Sequence, residues 1–348
     1  MPDILENSVD LRSDTVTRPT PEMYARMQSA PIGDDGLDGD PSVRQLEAGT
    51  AAMLGKEAGL FVPSCTMANL LAVLAQARRT EQVALEGEAH MYTSERGAAT
   101  FTGVFYLGLR GTAGAMDLNL LQDTLKATGH KLRTTLVALE TSHNNAGGTV
   151  LPLDHMRDAY SLAAQAGAAV HLDGARLCNA AVALGVAPAD VACHADTVSL
   201  CLSKGLSAPV GAVLAGDQAL IVRARGLRRM LGGTQRQAGI MAAAGLEGVR
   251  NMVARLGEDH ARAQRLSQGL RQFTQLTPSD PQTNIVQVDV SATGRGSEFW
   301  VGALEQAGLR TRPWGATRLR CVTHRHIDDA AIDRAVQAFG QVLQSLAA

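Results

Sequence analysis

Lysine is scarce in this chain: four lysines stand against twenty-eight arginines, so lysine is not what supplies surface charge. The net charge is −2 and the pI is near 6.5, which leaves no basic excess for nucleic acid or an anionic membrane surface. No apolar run is long enough to span a bilayer. The first ten residues are acidic and lack the apolar core of a secretion signal. Cys65, Cys178, Cys193, Cys201 and Cys321 are an odd number without a CxxC pair, which argues against both a disulfide framework and a zinc site. No internal repeat and no low-complexity tract is present. The expectation is a cytoplasmic protein with no nucleic-acid or membrane partner and no metal.

What is present is an ordinary enzyme composition. The 348 residues are 45% hydrophobic and 19% charged, enough for a large core and, by length, two domains. Residues 10–39 are rich in Pro, Gly, Asp and Thr, with one short helical stretch at 22–27, and read as an irregular arm. A helix is expected over 43–54. Then apolar strand-like runs at 59–63, 83–85, 104–107, 136–140, 168–172, 198–202 and 212–215 alternate with helical patterns, among them 67–78, 118–127 and 155–166. Strands that are apolar throughout, rather than alternating, predict an α/β sheet that is largely parallel and covered by helices on both faces. From about 220 to 273 the pattern is helical and Arg-rich. Strands at 285–290 and 318–322 with helices at 298–307 and 328–346 then predict a smaller α+β domain. The expected division is an arm at 1–45, a large domain at 46–250 and a small domain at 251–348.

In a largely parallel sheet, ligands bind beyond the carboxyl ends of the strands. Lys204 sits at such an end, in TVSLCLSKG at 197–205. Desolvation there disfavours the ammonium, and a neutral amine can form a Schiff base with a carbonyl or with pyridoxal phosphate (PLP). The bland alternative is a lysine whose head reaches back to water. Asp173 ends the run at 168–172. A buried carboxylate is costly unless paired, and a pyridinium N–H is one suitable partner, an N-cap or Arg176 another. Ser64-Cys65-Thr66 opens a helix after a strand, where free N–H groups and the helix dipole suit a phosphate. The same residues also fit a simple cap. His90 and His143 follow two further strands. One is placed to stack on a cofactor ring, and either could move a proton, although a lone strand-end histidine is more often structural. A carboxylate needs a bidentate fork, which arginine supplies. Arg236 and Arg320 are candidates, Arg320 the better placed because its apolar neighbours put it on a strand.

These segments together resemble the L-threonine aldolases of the low-specificity type, PLP-dependent enzymes of the aspartate-aminotransferase fold. The likeness runs through LRSDTVTRPT at 11–20, SCTM at 64–67, ETSHN at 140–144, HLDGAR at 171–176, CLSKGL at 201–206, APVG at 208–211, MLGG at 230–233, RQAG at 236–239 and RCVTH at 320–324. It implies PLP-dependent transferase fold type I, with the domain at 46–250 binding PLP. Lys204 would carry the cofactor as a Schiff base, Asp173 would hold the pyridine nitrogen and His90 would stack on the ring. Cys65, Thr66 and Arg176 would contact the cofactor, with Arg236 reaching phosphate across a subunit boundary. Ser13, Arg176 and Arg320 would bind the substrate carboxylate, and His143 and His90 would lie near the β-hydroxyl. The implied activity is cleavage of L-threonine, L-allo-threonine or a related β-hydroxy-α-amino acid to glycine and an aldehyde. The implied assembly is a homotetramer, a dimer of dimers with active sites at the dimer interface. A β-eliminating lyase, an aldolase for α-substituted serines, and a PLP-binding protein without turnover are the alternatives. Two positions depart from the family pattern: Cys65 stands where glycine is usual, and Leu37, in DDGLDGDP at 34–41, where tyrosine is usual.

Overall fold

The computed structural model describes residues 8–126 and 129–347. The chain forms two compact units, one of Arg18–Val253 and the other of Met1–Thr17 with Ala254–Ala348. The arm read over 1–45 is therefore divided between them.

The larger unit is built on a seven-stranded sheet. Its strands are β1 (Ala58–Val62), β2 (Gln82–Glu86), β3 (Phe105–Leu109), β4 (Thr134–Glu140), β5 (Ala169–Asp173), β6 (Thr197–Cys201) and β7 (Ala212–Gly216). All seven lie within two or three residues of the apolar runs that announced them. Their order across the sheet is β1-β7-β6-β5-β4-β2-β3. The pairs β2–β3, β2–β4, β4–β5 and β5–β6 are parallel. Strand β7 runs against both of its neighbours, β1 and β6, and is the exception to the parallel pattern.

Strands β6 and β7 are buried at every position, as a sheet covered on both faces requires. On one face Leu60, Val62 and Leu214 pack against Leu71 and Ala72 of helix α1 (Cys65–Gln76) and against the helix Gln218–Met230. On the other, the backbone of Gly59 abuts Glu47 of the helix Pro41–Met53. That helix starts where Asp40 accepts the Ser42 and Val43 amides, an acidic N-cap. Helix α2 (Leu153–Gln165) buries Met156, Ala159 and Ala163, three and four residues apart, on one stripe. The helix at 118–127 is observed as Leu118–Leu125; Ala127 lies outside the described residues. So do residues 1–7 of the acidic N-terminus.

The smaller unit carries a four-stranded antiparallel sheet centred on β8 (Ile285–Asp289) and β9 (Arg318–Val322). Val286, Val288, Leu319 and Cys321 of these strands share a core with Trp300 and Phe339, whose ring centroids are 5.7 Å apart. The segment Val9–Asp10 adds a short parallel pairing with Leu309–Arg310. Among the described residues no helix is long and apolar enough to cross a membrane.

Candidate active site

Lys204 is held by the turn that joins β6 to β7. Leu202 N–H donates to the Gly211 carbonyl at 3.0 Å, Ala208 N–H to Leu202 at 3.0 Å and Ser207 N–H to Lys204 at 2.8 Å. Gly211 has φ of +103°, and a Cβ there would lie 2.4 Å from the Phe61 ring, so only glycine closes the loop.

Asp173 ends β5, the strand next to β6, with Asp173 in register with Ser199. It is 3% exposed. Its Oδ1 accepts the Ala175 N–H at 3.1 Å and its Oδ2 the Asn69 Nδ2 at 3.1 Å. His90, whose pKa Asp173 helps to raise, offers a ring nitrogen within 4.8 Å of it. A buried carboxylate is costly unless paired, and a protonated ring nitrogen is a suitable partner.

His90 opens the short helix His90–Thr93 beyond β2. Its N–H donates to Glu140 Oε2 at 2.6 Å, and its Nδ1 lies 2.8 Å from Glu95 Oε1. That bond to Glu95 is the main reason its pKa is raised above the ordinary imidazole value. Glu95 also accepts from Thr66 Oγ1 at 3.2 Å and Asn69 Nδ2 at 3.3 Å. It thus links the ring of His90, the first turn of α1 and the neighbourhood of Asp173. His90, Glu95 and Asp173 offer three ligand atoms within 4.8 Å of one another.

Thr66 and Cys65 occupy the first turn of α1, where Ser64 Oγ caps the Met67 N–H at 3.2 Å. The Cys65 side chain turns back onto β6, with Sγ 3.6 Å from Ser199 Oγ. A hydrogen bond to Cys201 and burial push the Cys65 thiol up. The same bond helps bring Cys201 down to about 6.

His143 is fully buried beyond β4. Its Nδ1 accepts the Ala146 N–H at 3.2 Å, and its Nε2 lies 3.2 Å from Glu86 Oε2, an ion-pair approach rather than a well-aligned hydrogen bond. Burial opposes its protonation, but Glu86, Glu140 and Asp173 together outweigh it and raise its pKa. Arg176, 5% exposed, follows Asp173 and donates from Nη1 to Asn144 Oδ1 at 3.3 Å.

The structure therefore brings Lys204, Asp173, His90, Thr66, Cys65, His143 and Arg176 to the carboxyl-end side of one sheet. The Arg236 side chain is 87% exposed, with its Nε 3.4 Å from Asp34 Oδ2. With Leu37, Thr234, Arg229 and Gly36 it lines an open cavity of about 530 Å³. Ser13 and Arg320 belong to the smaller unit. There Arg320 stacks over Trp314 at 4.7 Å and donates from Nη2 to the Arg12 carbonyl at 3.2 Å, one residue from Ser13.

Sequence reasoning passed over Asn69, Glu95, Glu86, Glu140 and His171. Glu86 and Glu140 end strands, the same signal that marked Asp173. Asn69 and Glu95 carry no such mark, because only the packing of α1 over the sheet brings them together.

An amine and a buried carboxylate at neighbouring strand ends, with a helix N-terminus whose Cys65 reaches the strand before the amine, suit one coenzyme with an aldehyde, a ring nitrogen and a phosphate. On this sheet they place the chain among the pyridoxal-phosphate-dependent enzymes of fold type I. The family model described as beta-eliminating lyase matches residues 10–293, and the chain belongs to that family as a PLP-dependent lyase. It is 37% identical over 348 residues to low-specificity L-threonine aldolase 1 of Arabidopsis thaliana, covering 97% of each chain. It is 41% identical over 267 residues to the low specificity L-threonine aldolase of Escherichia coli K12, covering 76% of this chain and 79% of that one. The fold is shared with the threonine aldolase of Leishmania major, at a TM-score of 0.82, 19% identity and coverage of 96% and 99%.

Proposed function

We propose that this enzyme cleaves L-threonine, L-allo-threonine or a related β-hydroxy-α-amino acid such as phenylserine between Cα and Cβ, releasing glycine and an aldehyde. The observation that carries the reading is Asp173, a buried carboxylate on the strand end beside the Lys204 loop. Relatedness along nearly the whole chain to named threonine aldolases supports the choice of reaction.

Bound PLP supplies an electron-accepting ring that stabilises negative charge at Cα. The rest is positioning by this chain's residues. Lys204 would hold the cofactor. Asp173 would hold the ring nitrogen. The His90 imidazole, held by Glu95, would stack on the ring. Cys65, Thr66 and Arg176 would contact the cofactor. Arg176 would bind the substrate carboxylate, and that hold would select which bond at Cα stands ready to break; Ser13 and Arg320 are the carboxylate-binding candidates of the smaller unit. His143 or His90 takes the proton from the β-hydroxyl. For His143 this requires the Ala146 N–H or Glu86 to release a ring nitrogen first.

The assembly in this reading is a cytoplasmic homotetramer, a dimer of dimers, in which Arg236 serves a neighbour's phosphate. Its exposure and its place beside Leu37 support that role. The family description favours one second reading, β-elimination. A product assay with both threonine diastereomers, phenylserine and serine separates the two. Glycine and an aldehyde are expected; a keto acid and ammonia without glycine would replace the aldolase reading.

A further inference from the structure

Asn69 is 1% exposed and lies on the face of α1 turned to the sheet. Its Nδ2 donates to Asp173 Oδ2 at 3.1 Å and to Glu95 Oε2 at 3.3 Å. Its Oδ1 accepts from Ser199 Oγ at 2.7 Å and faces His171 Nε2 at 3.0 Å. Every hydrogen-bonding position of the amide is taken.

The polarity of this network runs one way. Ionised carboxylates only accept, so the amide nitrogen must face Asp173 and Glu95. Oδ1 then needs donors, which puts the His171 proton on Nε2. His171 Nδ1 is left as an acceptor, and the Thr197 hydroxyl at 2.9 Å donates to it. Thr197 Oγ1 in turn accepts from Gln76 Nε2 at 2.9 Å. From Gln76 through Thr197, His171 and Asn69, each donor points toward Asp173, and aligned hydrogen bonds reinforce one another in a low-dielectric interior. Burial brings the His171 pKa down to about 4, so the ring stays neutral and the tautomer holds.

We infer that Asn69 is a positioning residue for two cofactor contacts at once: it fixes the ionised Asp173 carboxylate toward the ring nitrogen and, through Glu95, orients the His90 imidazole. The inference rests on the reading of Asp173 as the partner of that nitrogen.

The test uses apoprotein reloaded with PLP carrying ¹⁵N in the ring, with the nitrogen chemical shift followed from pH 6 to 10. Asn69→Leu keeps the side chain's size and removes its amide. The midpoint for loss of the ring proton should fall by about one pH unit or more relative to the unaltered enzyme, the scale of a hydrogen bond to a charged group. Asp173→Asn is the control. If it leaves the midpoint in place, the reading of Asp173 fails. If it lowers the midpoint and folded Asn69→Leu does not, the role of Asn69 alone is overturned. A purely structural role would lower the melting temperature and leave the midpoint where it was. Should Asn69→Leu not fold, Ser199→Ala and Thr197→Val each remove one donor from the chain. A smaller fall in both supports the proposal, and no fall in either overturns it.

Discussion

The working parts of this site depend on one residue that must not take a proton. His171 is completely buried, and burial depresses its pKa from 6.5 to about 4. A folded pKa below the unfolded one means that the unfolded chain binds the proton more tightly. The stability associated with neutral His171 is therefore complete above about pH 6.5, and is lost as pH falls toward 4. The shift corresponds to roughly 3 kcal/mol. Urea midpoints from pH 4.5 to 7 should rise with pH in the unaltered protein and rise less steeply in His171→Gln. His260, also depressed to about 4, leaves part of the slope in place. Equal slopes would assign the acid sensitivity to other groups. The sequence singles out Lys204 as a candidate because lysine is rare and this one ends an apolar run. It does not single out Glu95. Its significance lies in what it touches, namely His90, Thr66 and Asn69, and no spacing announces three contacts of that kind.

At the level of elements, strand ends and helix starts decide where the chemistry lies, and both were readable. Seven apolar runs announced seven strands, and the residues just past them include Asp173, Lys204, His90 and His143. The direction of β7 was not read, because a strand buried on both faces looks the same in either orientation. The loop length could have shown it: β6 ends at Cys201 and β7 begins at Ala212, a gap too short for a parallel crossover. That short connection is also what holds Lys204. Gly211→Ala should strain the loop twice, through its positive φ and its overlap with Phe61. The expected loss is about 2 kcal/mol of stability or more, read from urea unfolding, together with weaker retention of PLP measured by dialysis. Unchanged retention would show that the loop's closure is not what positions the lysine.

On the scale of the whole molecule the question is how the parts of a site come together when one chain does not supply them in one place. Arg236 is 87% exposed, and if it serves a neighbour's phosphate, two defective chains should complement each other. Lys204→Ala and Arg236→Ala proteins, unfolded together and refolded, should recover about a quarter of the activity of the unaltered enzyme. Half the random dimers are then mixed, and each mixed dimer has one intact site. Recovery no greater than the sum of the separate variants would place Arg236 outside the neighbour's site. The sequence by itself determined the class of fold and marked Lys204 and, one strand earlier, Asp173 as candidates, because burial and strand ends leave a one-dimensional trace in apolar runs and the polar residues that interrupt them. Only the tertiary structure decided which side chains hold those groups in place. Asn69 meets Asp173 across 104 positions and Ser199 across 130, and contacts that distant exist only once α1 has packed on the sheet.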